Sequence, residues 1–411
     1  LAARSASQAR IYSDLGFQGL ALVEGWKSVN TDPANFSAHR FLADSYASRP
    51  RHEIARVSEL LQSQLLQPIN INPVQANLAE GRLRIPEGSG PTSPSFNEYN
   101  PLFNRDRFAL QASGAAGDNN TLGDSLTHNA VIGPFSYSIG QFYYKSDGFR
   151  TNGDQDRELY NGFAQWMLDY KTSIQVEGRY SDYKYGDLTS RFDPSSFDPS
   201  LRFTDRYRTI RAGLRHAFTP DSDFIVSGLY SKQNNSLNAF EDMFHQDVDA
   251  SAYQLEAQYL FRSEYFRLIT GAGYVDGNDD SKESLFFPGF PAIEGYYHYD
   301  NHHTNLYAYT YTTFPRSVTW TLGVSADFYG QTFQDGRDQV NPKLGVTWTP
   351  WDSTTFRAAA FRTLKRNIIT QQTIEPTQVA GFNQFFDDYN GTDAWRYGAA
   401  VDQKILKNLF A

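Results

Sequence analysis

The chain has 411 residues with 37 basic and 46 acidic side chains, a net charge of −9 and no cysteine. The absence of cysteine excludes disulfides, thiolate metal sites and cysteine nucleophiles, and the acidic balance with no basic stripe argues against nucleic acid as a partner. No run approaches the roughly 18 to 20 apolar residues of a membrane-spanning helix, and the mean hydropathy is −0.55.

Residues 1–66 carry Ala, Leu and charged residues at helical spacing with few glycines, and are expected to be helical. Asp32, Pro33 and Asn35 form a helix break and restart. Ala38, Leu42, Ala43 and Tyr46 then fall at i, i+4, i+5 and i+8 on the inner face of the next helix. Residues 67–104 shift to Pro, Asn, Gly and Ser, which is linker chemistry and marks a domain boundary.

From residue 105 to 411 the period changes to two. In 253–261, Tyr253, Leu255, Ala257, Tyr259 and Phe261 alternate with Gln254, Glu256, Gln258 and Leu260. In 174–181, Ile174, Val176, Gly178 and Tyr180 alternate with Gln175, Glu177, Arg179 and Ser181. Such strands bury one face in an apolar medium and wet the other. Fourteen strands are expected, near 105–116, 121–132, 134–145, 157–169, 171–186, 202–218, 222–233, 249–262, 264–276, 296–313, 317–331, 341–349, 354–364 and 392–406, with another beginning at 407–411. Many exceed the five or six residues usual in globular sheets. Short connections at 170, 219–223, 263, 314–317, 349–353 and 407 alternate with long polar ones at 146–156, 187–201, 234–248, 277–295, 332–340 and 365–391.

That asymmetry predicts a mainly β protein, an antiparallel transmembrane β-barrel, with tight turns on the periplasmic side and long loops outside. Aromatic pairs such as Tyr143 and Tyr144, Tyr183 and Tyr185, Tyr296 and Tyr297, and Trp348 and Trp351 are expected in its two interfacial girdles. Parity places the N-terminal helices on the periplasmic side. Since bacterial barrels close with an even strand count, at least 14 strands and in the parent protein 16 or more are expected, with the chain a piece cut at both ends.

Three resemblances bear on this reading. The phrase "DPANFSAHRFLADSYASRP" resembles a tetratricopeptide repeat, whose helix pairs turn at such a motif and pack on small residues. The segment "NPKLGVTWTPWDSTTFRAAAFRTLKRN" (341–367), with "IEPTQVAGFNQFFDD" and "WRYGAAVDQKI" after it, is similar to the late-barrel strands of TonB-dependent receptors. In residues 1–104 no TonB box or globular plug is recognisable. Tetratricopeptide helices ahead of a barrel also resemble the outer-membrane exporters of bacterial exopolysaccharides such as cellulose. These resemblances imply a bacterial outer-membrane channel or transporter passing a solute or polymer, its helices recruiting a partner. The alternatives are gated uptake of the TonB-dependent type and a non-conducting anchored scaffold. The expected partners are outer-membrane lipid and a periplasmic or surface protein.

Catalytic patterns are thin, and no enzyme activity is expected. There is no G-x-S-x-G, Walker or dinucleotide fingerprint, so no cofactor is assigned. His298 and His302 would lie about 13 Å apart in a strand, too far for one metal ion. The acidic runs 276–283 and 387–390 lack EF-hand spacing. What remains is a pore lining. By parity Gln175, Glu177, Arg179, Arg211, Arg215, Gln254, Glu256 and Arg267 face the lumen, with Lys343 and Arg357 beside them, because a charge facing lipid would cost roughly 2–4 kcal/mol near the midplane.

Overall fold

The computed structural model describes residues 7–9, 11–12, 15–47, 49, 51–74, 79, 106–189, 193, 196–332, 334–351, 353–386, 388–406 and 409–410. Three helices come first: α1 (Gln18–Thr31), α2 (Phe36–Ala47) and α3 (Glu53–Leu66). The restart predicted at Asp32 to Asn35 forms as read. Asn35 Oδ1 accepts the backbone N–H groups of Ser37 at 3.1 Å and Ala38 at 3.2 Å, which satisfies donors that α2 cannot pair internally. Ala38, Leu42, Ala43 and Tyr46 are buried. Ala38, Leu42 and Tyr46 share a cluster with Val23, Trp26 and Val29 of α1 and Ala55 of α3.

A single antiparallel sheet follows: β1 (Arg107–Gly117), β2 (Thr121–Ile132), β3 (Phe135–Ser146), β4 (Gln155–Met167), β5 (Thr172–Tyr185), β6 (Arg202–Thr219), β7 (Ser222–Ala239), β8 (Phe244–Arg262), β9 (Phe266–Leu285), β10 (Ile293–Thr313), β11 (Val318–Gln331), β12 (Gln334–Trp351) and β13 (Thr354–Leu364). The two-residue strands β14 (Gln378–Val379) and β15 (Phe382–Asn383) pair only with each other. The main sheet then ends with β16 (Asp393–Leu406) and β17 (Leu409–Phe410). Every long strand pairs with its sequence neighbours, the order of an up-and-down barrel wall. The fourteen expected strands are all present, and β2 and β13 match their expected bounds residue for residue.

The sheet is inverted relative to that of a water-soluble protein. Leu255 is 54% exposed while its neighbour Glu256 is 3% exposed, and Val176 is 49% exposed beside Glu177 at 3%. Leu126, Ile139, Ile210, Leu306, Leu322 and Leu344 continue the bare apolar face; Asn129, Gln165, Gln258, Asn305, Asp327 and Asn341 continue the covered polar one. An apolar face of this extent left to water would be unstable, whereas a hydrocarbon surround makes it the favourable face.

Two connection readings are corrected. The expected loops 234–248, 277–295 and 332–340 are mostly strand: β7 and β8 stay paired up to Ala239 and Phe244, and β9 and β10 up to Leu285 and Ile293. Only 240–243, 286–292 and Thr332 lie outside the paired strands among the described residues. Polar side chains on both faces hid these ribbons, because a strand solvated on both sides shows no alternation. The segment 365–391, expected as an external loop, instead folds back against the polar face of the sheet, with Gln372 through Ala380 buried.

The aromatic girdles also differ in membership. Trp348 and Trp351 are exposed at the short-turn end, as expected, together with Phe135, Trp166, Phe218, Tyr265, Phe314 and Trp320. A second row, Tyr160, Tyr180, Tyr230, Tyr253 and Tyr274, crosses the opposite side of the apolar band, with ring centroids 6.4 Å apart for Tyr160 and Tyr180 and 5.9 Å for Tyr253 and Tyr274. Six residues separate Trp166 from Tyr160, about 20 Å along the strand. Tyr144, Tyr183 and Tyr185 sit on the covered face instead, since their parity opposes that of the girdle residues.

Candidate functional site: the filled polar interior

The helices and the segment 365–391 both lie on the polar face. Leu61, Leu65 and Leu66 of α3 share a core with Ile225, Leu260, Ile269, Tyr307, Tyr309 and Tyr311 of the sheet and with Ile374, Val379 and Ala380 of the inward segment. The helices are therefore no free-standing module. Gln67, Ile71, Asn72 and Val74, at the start of the expected linker, are buried as well; most of residues 75–104 lies outside the described residues. Each fully buried leucine contributes about 1.5–3 kcal/mol, which offsets the cost of covering so many polar side chains only if those find partners.

Many do, and one set of partners is backbone oxygens. A helix leaves its last carbonyls without internal donors, at the negative end of its dipole. Gln175 Nε2 donates to Gln64 O at 3.0 Å, Arg215 Nη1 to Leu66 O at 3.0 Å and Gln165 Nε2 to Gln67 O at 3.1 Å, so three adjacent strands receive the end of α3. Arg267 Nε donates to Thr31 O at 3.0 Å and does the same for α1. Gly213, on the covered face of β6, leaves the space: a Cβ there would stand 2.6 Å from Leu65 Cδ2.

The ten side chains assigned to the lumen by parity fall into separate groups on this face. Glu177 is the centre of one: Arg179 Nε donates to it at 2.7 Å, Arg211 pairs with its other oxygen, and Gln64 Nε2 donates to it at 3.2 Å. Gln175, Arg215 and Arg267 are the helix-end contacts just described. Gln254 and Glu256 hold the inward segment: Gln254 Nε2 donates to Gln372 O at 2.7 Å, while Glu256 accepts the Thr373 hydroxyl and, at 3.2 Å, the Ile374 N–H. Lys343 Nζ donates to Arg362 O at 2.7 Å. Arg357 pairs with Asp402 at 2.7 and 3.1 Å and lies over the rings of Trp26 and Phe382.

A second constellation was not anticipated. Arg366 Nη1 lies 2.8 Å from Glu375 and 3.7 Å from Asp327; Asp327 faces His303 Nε2 at 2.9 Å and accepts from Asn341 Nδ2 at 2.6 Å. Tyr309 donates to Glu375 at 2.7 Å. Burial disfavours the charged form of Arg366, yet Glu375 and Asp327 outweigh it and hold its pKa above the ordinary value. A signal was present in the sequence: Ile374, Val379, Ala380 and Phe382 are too apolar for an external loop. Of the two histidines considered for a metal, His298 is exposed between Asp280 at 2.7 Å and Asp300 at 3.1 Å; the neighbouring His303 is buried and belongs to the Asp327 group. The acidic run 276–283 is part of β9.

Helices and inward segment also grip each other. His39 Nδ1 is 2.5 Å from Glu59 and its Nε2 is 2.8 Å from Pro33 O; the Thr377 hydroxyl donates to the second Glu59 oxygen. Ser58 Oγ accepts the Thr373 N–H at 3.1 Å, and Gln378 Nε2 donates to Asn30 at 2.6 Å.

Solved structures with this arrangement of strands exist. The siderophore receptor PiuA from Acinetobacter baumannii superposes with a TM-score of 0.54 at 12% identity, over 74% of this chain and 56% of that one. The copper transporter OprC gives 0.58 at 13%, over 74% and 52%. The ferripyoverdine receptor of the outer membrane of Pseudomonas aeruginosa gives 0.56 at 12%, over 73% and 46%. The fold is that of the TonB-dependent receptor barrel. This chain spans about half the length of those proteins. No known protein family and no curated protein matches its sequence.

Proposed function

We propose that the chain is the barrel part of a bacterial outer-membrane transporter of the gated, TonB-dependent type, its interior closed at rest by the helices and by residues 365–391. One observation carries the reading: the sheet presents a bare apolar belt edged by aromatic rows, while its polar face is filled by segments held through hydrogen bonds and ion pairs that could be exchanged for water. An open diffusion pore would leave those groups to solvent. Passage is then of a polar solute that competes for the same donors and acceptors, with Glu177, Glu256, Arg211 and Arg215 among the groups that would line its route. The short turns face the periplasm and the long ribbons the exterior, as in barrels generally.

The filled interior also supports a second reading, a non-conducting anchored scaffold. Planar-bilayer conductance separates them. The gated transporter is silent as purified and shows discrete openings when about 2–4 M urea loosens the internal segments while the barrel persists. Steady ohmic conductance without urea would overturn the gated reading, and silence throughout, with the sheet shown intact by circular dichroism, would favour the scaffold.

A further inference from the structure

On the bare face, at the level of the upper tyrosine row, Arg208 of β6 and Lys232 of β7 stand directly opposite each other. The same row runs through Tyr160 and Tyr180, which are likewise cross-strand partners, and Tyr180 is paired with Arg208. Both cations are exposed. Among the described residues no carboxylate lies within ion-pair distance of either; the one neighbour recorded is the Tyr180 ring, 6.0 Å from the Arg208 guanidinium. Arg206, one step further from the belt, is by contrast taken up by Asp182 at 2.8 Å. Like charges facing each other across two strands, with side chains about 5 Å apart, repel and weaken the pairing. The neighbouring row shows that this sheet can supply a carboxylate where one is needed. A bare cation pair at the tyrosine level is therefore complementary to something outside the chain.

We infer that Arg208 and Lys232 form a binding site for the phosphate of an anionic lipid headgroup, in the leaflet that meets the Tyr160, Tyr180 and Tyr230 row. Position and charge select that occupant. The tyrosine row marks the boundary between hydrocarbon and headgroups, and there the phosphates of the lipid are the abundant anions. A guanidinium offers a planar pair of donors to phosphate and an ammonium a compact point charge, while Tyr180 packs beside the headgroup. Acyl chains of the same lipid would run along Ile210, Val176 and Leu255 on the belt below.

The inference rests on the membrane reading above, and the test keeps the two apart. Tyr230→Trp places a fluorophore beside the pair, and its added emission is followed in the whole chain reconstituted into vesicles of brominated phosphatidylcholine or brominated phosphatidylglycerol. Quenching by the introduced tryptophan's neighbours is expected from both lipids, with an apparent affinity at least threefold higher for phosphatidylglycerol, and Arg208→Gln with Lys232→Gln should remove that preference while leaving quenching by phosphatidylcholine unchanged. Equal quenching by both lipids, or a preference that survives the double substitution, overturns the site and leaves the membrane reading standing. Quenching by neither lipid overturns both. Because Gln also relieves the cross-strand repulsion, the double variant should melt at a higher temperature than the parent in neutral detergent; a lower melting temperature would mean the pair is held by something within the protein.

Discussion

Glu59 on helix α3 accepts a hydrogen bond from Thr377, 318 residues further along the chain, inside the curve of the sheet. The same carboxylate holds His39 at 2.5 Å. One side chain thus joins both helices α2 and α3 to the inward segment, and its removal is expected to loosen all three. Glu59→Ala should cost about 3–5 kcal/mol, the range for removing one partner of a buried ion pair. Limited proteolysis checks this: cleavage within 365–391 and between α2 and α3 should appear together, ahead of any loss of β circular dichroism.

The pH dependence of that joint follows from His39. Burial works against its charged form, but the Glu59 carboxylate and the Pro33 carbonyl outweigh burial and raise its pKa above 6.5. A raised histidine contributes stability that is fully present below about pH 6.5 and fades as the pH climbs through the higher folded-state value. Amide exchange in α2 and α3 should therefore accelerate, relative to the sheet, on going from pH 6 to pH 9. His39→Gln should flatten the profile; an unchanged profile in that variant would assign the effect elsewhere.

Glu375 is the main partner of the buried Arg366, whose other carboxylate, Asp327, is 3.7 Å away. Glu375→Ala also leaves the Tyr309 hydroxyl without its 2.7 Å acceptor. Loss of about 3–5 kcal/mol at this joint exceeds what a folded-back segment, whose strands are only the two-residue pair β14 and β15, can absorb. Brief openings in planar bilayers are expected from this variant under conditions where the parent is silent.

Gly381 brings the backbone of the inward segment against Trp26 of α1. It adopts φ +81°, and a Cβ would lie 2.7 Å from Arg357 Nη1 and 2.8 Å from Trp26 Nε1. Gly381→Val combines a left-handed backbone disfavoured for a branched residue with a clash in a packed interior, about 1–3 kcal/mol for the overpacking alone. Trp26 should move to a more exposed emission while thermal melting of the strands changes little.

Val176→Arg places a charge on the belt between the two aromatic rows and should cost roughly 2–4 kcal/mol in refolding titrations into phosphatidylcholine vesicles. Asn234→Arg lies beyond the tyrosine row on the same face and should cost less than about 1 kcal/mol.

Much of the sheet was legible because lipid on one side and polar groups on the other impose a period of two, and β2 and β13 could be read to the residue. The ribbon ends of β7 to β10 were not, since water on both faces removes the alternation. The three helices were equally legible as helices, and Ala38 and Leu42 as their inner face. Their destination was not: an apolar stripe states that something covers it, and Leu65 fits a second helix as well as it fits Tyr307. For the same reason Arg215 and Arg267 could be placed on the polar face by parity, while their partners, the carbonyls of Leu66 and Thr31, carry no mark in the sequence.

Those carbonyls set how freely this interior can change over generations. Every residue type presents the same main-chain oxygen, so positions 64, 66 and 31 can drift without breaking the contacts that Gln175, Arg215 and Arg267 make with them. The receiving side chains have no such latitude. Among related chains, substitutions at Thr31 should therefore be tolerated more readily than at Arg267, which holds its carbonyl, an asymmetry that would let a constant wall accept changes in the inner segment wherever only main-chain oxygens meet it.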